Sequence, residues 1–121
     1  MNISWVGGKT NHYLKADVMV TLVCKKTMLC IHFSQGVMAT RFKHADRIMV
    51  GFDENDSMFC FAPGDGTGFK VYEGANKTGR IKVSVNHVIN HCSPNSLCGD
   101  WVLKTDMESG VSYIPIGALP R

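Results

Sequence analysis

Apolar and polar positions alternate along this chain in short blocks, and the block lengths predict strands. Residues 18–24 are apolar and rich in β-branched side chains, Lys25-Lys26-Thr27 is a polar break, and residues 28–33 resume the apolar pattern, which together predict a hairpin. Ser34 can cap a short helix running to about Phe42, with Val37, Met38 and Phe42 at helical spacing. Residues 47–52 and 57–62 read as two more strands, joined by the acidic turn Asp53-Glu54-Asn55-Asp56. The run Pro63-Gly64-Asp65-Gly66-Thr67-Gly68 then interrupts the pattern as a loop.

The plan starts again beyond that loop. Residues 69–72 form a short strand candidate, 73–78 a turn and 80–85 a strand. Residues 86–92 read as a short helix with Val88 and Ile89 turned inward, stopped by Ser93-Pro94. Residues 101–105 and 111–116 are the last two strands, with a turn at 107–110 and a tail from Gly117. Irregular sequence with a Gly7-Gly8 break occupies the first 17 residues, where Trp5 and Tyr13 are expected to pack onto the body.

Laid side by side, the two halves match. Ile31-His32-Phe33-Ser34 aligns with Ile81-Lys82-Val83-Ser84, and His44-Ala45-Asp46-Arg47-Ile48 with Cys98-Gly99-Asp100-Trp101-Val102. Asp53 and the strand after it align with Asp106 and the strand ending at Pro115, at offsets of about 50, 54 and 53. A period of this length indicates a duplicated supersecondary unit. The expected fold is therefore mostly β, in a single domain over residues 1–121. Two pseudo-repeated strand–short helix–strand–strand half-units, about 18–63 and 69–116, would build it.

The step before the middle strand of each unit carries a recognisable chemistry. Glycine allows a tight turn there, and an aspartate can accept backbone N–H groups that pin it. Leu97-Cys98-Gly99-Asp100-Trp101-Val102, followed by Asp106, a turn and Tyr113-Ile114-Pro115, resembles the Gly-Asp box of the AbrB/MazE-like swapped-hairpin proteins and related cradle-loop barrels. Thr78-Gly79-Arg80-Ile81-Lys82-Val83 is similar to that family's first strand. The likeness covers 77–116 best and 26–63 weakly: Ala45 replaces the box glycine in the first half, and Met28-Leu29 stands where the family has Gly-Arg. The resemblance implies a small interleaved barrel that contacts DNA through basic side chains around its hairpins. The matching residues are Arg80 and Lys82, with Lys77 and Lys104 nearby. Lys25, Lys26, Arg41, Lys43 and Arg47 are the first-half basics. Such groups position a protein on phosphates, with an affinity that falls steeply with salt.

Composition narrows the classes. Hydrophobic residues make up 45% of the 121, enough for a core, and charged residues only 19%, which argues against a disordered chain. The net charge of +3 divides into +2 for residues 1–63 and +1 for 64–121, so any polyanion site is a folded patch rather than a basic tail. No apolar run approaches the roughly 18 residues of a membrane span, and the start lacks a secretory pattern. The five cysteines are odd in number and three lie in apolar runs, which points to reduced thiols in a cytoplasmic protein and leaves the Asn76 sequon without meaning.

Other chemistries find less support. His87, His91, Cys92 and Cys98 gather four possible metal ligands within twelve residues, but in no standard zinc spacing, so no metal is expected. The glycine loop at 63–68 lacks the Lys-Ser/Thr and helix of a phosphate-binding loop, and reads as a flexible hinge between the half-units. Asp53–Asp56 has calcium-like composition without the glycine or bidentate glutamate such a loop needs. No nucleophile elbow or cofactor motif is present. The reading is a non-enzymatic binding module, a small DNA-binding regulator touching duplex DNA, as monomer or homodimer. The alternative is a protein-binding inhibitor or adaptor of a larger host protein, using seven methionines and the apolar Ile3, Trp5, Val6 and Tyr13 as contact surface.

Overall fold

The computed structural model describes residues 19–53, 57–106 and 108–116. Among the described residues, ten strands form two antiparallel five-stranded sheets, and the fold is mostly β. The strands are β1 (Met19–Cys24), β2 (Met28–Phe33), β3 (Arg47–Asp53), β4 (Met58–Gly64), β5 (Phe69–Lys70), β6 (Tyr72–Glu73), β7 (Gly79–Ser84), β8 (Gly99–Val102), β9 (Lys104–Thr105) and β10 (Ser112–Pro115). One sheet has the order β6-β7-β2-β1-β8, the other β5-β3-β4-β10-β9. Two pairs of short strands follow one another directly but lie on different sheets: β5 and β6 flank Val71, and β8 and β9 flank Leu103.

Alternation decides which side chains face inward. Along β2, Leu29, Ile31 and Phe33 are buried, and their neighbours across the ladder on β7 are Val83, Ile81 and Gly79. β1 adds Val20 and Leu22 to this face, while the second sheet contributes Ile48, Phe59, Phe61 and Ile114. Phe33 joins the layers, its ring edge-on to Phe42 at 5.1 Å and to Phe61 at 5.5 Å. Each fully buried side chain of this size contributes roughly 1.5–3 kcal/mol of transfer free energy, so this one cluster dominates the favourable side of folding.

The helix α1 (Gln35–Thr40) forms where its cap predicts: the Ser34 hydroxyl accepts the Val37 N–H, and Val37 points into the core. Residues 86–92 differ from expectation. A 3₁₀ turn at Val85–His87 runs into further single turns, with Val88 buried but Ile89 60% exposed. One inward anchor and a proline soon afterwards leave too little to offset the cost of nucleating a helix. The loop at 63–68 is also tighter than a hinge. β4 extends through Pro63 to Gly64, a Cβ on Gly64 would fall 1.9 Å from the Thr67 carbonyl oxygen, and one on Gly68 (φ +99°) would fall 2.6 Å from that of Ile48. Arg47 closes the turn by donating to the Gly68 carbonyl at 2.9 Å. The expected packing of Trp5 and Tyr13, the turn at 54–56, Met107 and the tail from Gly117 lie outside the described residues.

Candidate nucleic acid interface

The outward positions of β7, with those of β6 and β2 beside it, bring basic side chains together on one sheet face. Strand alternation buries Gly79, Ile81 and Val83 and turns Arg80 and Lys82 to solvent. Antiparallel pairing sets Arg80 beside His32 of β2 on one side and Tyr72 of β6 on the other, with Lys82 opposite Cys30. The Tyr72 ring, 39% exposed, is shared by two ammonium groups: Lys82 Nζ lies 5.2 Å from its centroid and Lys70 Nζ 5.3 Å. Cation–π contacts of this kind are worth about 0.5–1 kcal/mol each when exposed. Among the described residues the contact made by both ammoniums is this ring, so two like charges are gathered at one place.

His32 is held below its ordinary pKa by burial, then by the positive charges of Arg80 and Lys25. Arg80 and Lys25 thus both lie close enough to His32 to disfavour its charged form, as burial does more strongly. The same cross-strand row continues from His32 through Thr21 to Asp100 on the edge strand β8, so a carboxylate, accepting from the Thr21 hydroxyl at 2.7 Å, lies on this face two strands from His32.

The basic residues singled out from sequence are distributed over several places. Arg80 and Lys82 share the strip, while Lys25 and Lys26 are exposed in the β1–β2 turn. Lys43 and Lys77 both line a separate groove of about 860 Å³ between α1 and the segment around Gly74, alongside His44, Asp46 and Glu73. Arg41 is the C-cap of α1, partly buried, with its Nε lacking a hydrogen-bond partner. Lys104 lies on β9 in the other sheet, opposite Tyr113. Lys70, Tyr72 and His32 escaped the sequence reading. The period-two spacing of Lys70 with Tyr72 and of Arg80 with Lys82 is visible in the chain, but the register that brings the pairs together is not.

The histidine and cysteine cluster is drawn apart. His91 stacks on Phe52 with centroids 4.1 Å apart, and His87 meets the edge of Phe69 at 5.8 Å. Cys98 instead lies near Cys24, both sulfurs directed at the Pro94 carbonyl. Among the described residues no three His, Cys, Asp or Glu side chains are arranged to hold a metal ion. Nor, among them, is any helix long and apolar enough to cross a membrane. No family model matches the chain, and no curated protein or solved structure matches it significantly.

Proposed function

We propose that this chain is a non-enzymatic nucleic-acid-binding module, a small DNA-binding regulator whose contact surface is the outer strip of β6, β7 and β2. The observation that carries the reading is the Tyr72 ring held between Lys70 and Lys82, with Arg80 and His32 in the adjoining register positions. Phosphates placed over this strip would relieve the repulsion among its cations. An aromatic face amid basic groups also suits contact with a sugar or base. Lys25 and Lys26 extend the positive surface at the end of the β1–β2 hairpin.

The scaffold proposed is a barrel of two duplicated half-units, related to the swapped-hairpin proteins. Chain continuity at the sheet edges supports a barrel: only Val71 separates the edge strands β5 and β6, and only Leu103 separates β8 and β9, so the chain turns from one sheet into the other at two corners. The registers support duplication. Ile31 pairs with Ile81, its counterpart 50 residues on, and Cys60 pairs with Tyr113, its counterpart at an offset of 53. Met19 opposite Val102 likewise corresponds to Phe69 opposite Ile48. A local two-fold axis between equivalent strands would produce such self-pairing.

The test is fluorescence anisotropy with labelled random duplex DNA over a salt series. Binding at low salt that weakens steeply as salt rises is the expected result. No binding at low ionic strength would remove the DNA reading. Binding to a host protein that scarcely responds to salt would favour the adaptor alternative.

A further inference from the structure

We propose that Cys24 and Cys98 form a thiol-oxidation site, closing to an intramolecular disulfide when the protein meets a small-molecule disulfide such as oxidised glutathione. The two residues are 74 apart in sequence but meet where the β1–β8 ladder ends. That ladder's last pair is Leu22 with Gly99, so Cys24 closes β1 just beyond it and Cys98 immediately precedes β8. The side chains converge on one atom: Cys24 Sγ lies 2.9 Å from the Pro94 carbonyl oxygen and Cys98 Sγ 3.7 Å from the same oxygen. The 3₁₀ turn at Pro94–Leu97 fixes this meeting, because it carries the chain back under β1 with the Cys98 N–H bonded to the Asn95 carbonyl.

The two thiols differ in a way that orders the chemistry. Cys98 is exposed, whereas Cys24 is partly covered. Burial, a hydrogen bond with Cys98 and the proximity of Cys98 and Cys92 push the Cys24 thiol up to about 12, so it is the poorer first nucleophile. Cys98 thiolate attacks one sulfur of the added disulfide, forming a mixed disulfide and expelling one glutathione thiolate. Cys24, after giving up its proton, attacks the Cys98 sulfur and expels the second. The protein loses two electrons and two protons. One oxidised glutathione gains both electrons and, once its thiolates are protonated, leaves as two thiols. Cys92 is half-buried, its own thiol raised by burial, and is the competing partner.

The experiment treats the full chain with oxidised glutathione, unfolds it in acid, counts the remaining thiols and maps the linkage by tandem mass spectrometry that resolves Cys92 from Cys98. The count is expected to fall by two from the five of the reduced protein, with a Cys24–Cys98 crosslink. C92S should behave as the parent, whereas C24S should retain a glutathione adduct on Cys98 without closing. A crosslink through Cys92, or adducts with no internal bond in the parent chain, would overturn the proposal. Mapping the parent chain requires no variant to fold.

Discussion

Ile31 of β2 stands directly across from Ile81 of β7, and both side chains are fully buried. The contact lies at the centre of the longest stretch of pairing between the first half of the chain and the second. Truncation of either residue opens a cavity between the same two strands. Ile31→Ala and Ile81→Ala are each expected to lower stability by about 2–5 kcal/mol in urea unfolding. Because the residues touch, the double variant should cost measurably more or less than the sum. Strict additivity would argue against the packing described.

The basic strip makes a different demand. Lys82→Gln and Lys70→Gln should each weaken DNA binding and reduce the slope of log affinity against log salt by about one. Tyr72→Ala should weaken binding with little change in that slope, since it removes a ring and no charge. Lys104→Gln distinguishes the two sheets: an equal loss there, measured by the same anisotropy titration, would shift the interface to the β9–β10 face.

Gly68 and Gly66 lie two residues apart in one turn but in unequal surroundings. Both have positive φ, yet a Cβ at Gly66 meets nothing within 4 Å, while at Gly68 it meets the backbone of Ile48 and Met49 below 3.0 Å. Gly66→Ala should therefore cost only the conformational strain, about 1–2 kcal/mol. Gly68→Ala adds a clash with backbone that cannot step aside, for a total of about 3 kcal/mol or more. Thermal unfolding of the two variants under one condition checks the order, and equal losses would contradict the tight turn.

His32 links stability to pH. Its folded-state pKa lies below the ordinary value of 6.5, so as pH falls the unfolded chain takes up a proton that the folded one resists. Stability must then decrease as the solution is acidified through the histidine range, and be retained above it. The urea midpoint is expected to drop between about pH 7.5 and about pH 5.5, and His32→Gln should flatten that slope relative to the parent. Superimposable pH profiles would show that the imidazole is not disfavoured in its charged form.

Much of the architecture was legible because it depends on neighbours in sequence. The alternation of Leu29, Ile31 and Phe33 marks β2, Ser34 announces α1, and Lys25-Lys26-Thr27 marks the turn between β1 and β2. The same local logic failed at residues 86–92. Val88 and Ile89 have helical spacing, but only Val88 finds a core to enter. It failed again at the glycine loop, where flexibility was read from composition although Gly64 and Gly68 are required by the close approach of Thr67 and Ile48.

By itself the sequence determined the mostly-β character, the positions of the main strands and the helix capped by Ser34, since side-chain periodicity and capping act over a few residues. Tertiary structure alone decided that Tyr72 lies beside Arg80, that Lys70 and Lys82 share one ring, and that Cys24 meets Cys98. Those relationships follow from strand register, which is selected by burying whole faces of distant segments together. A slip of one residue would reverse every one of them without altering any local preference.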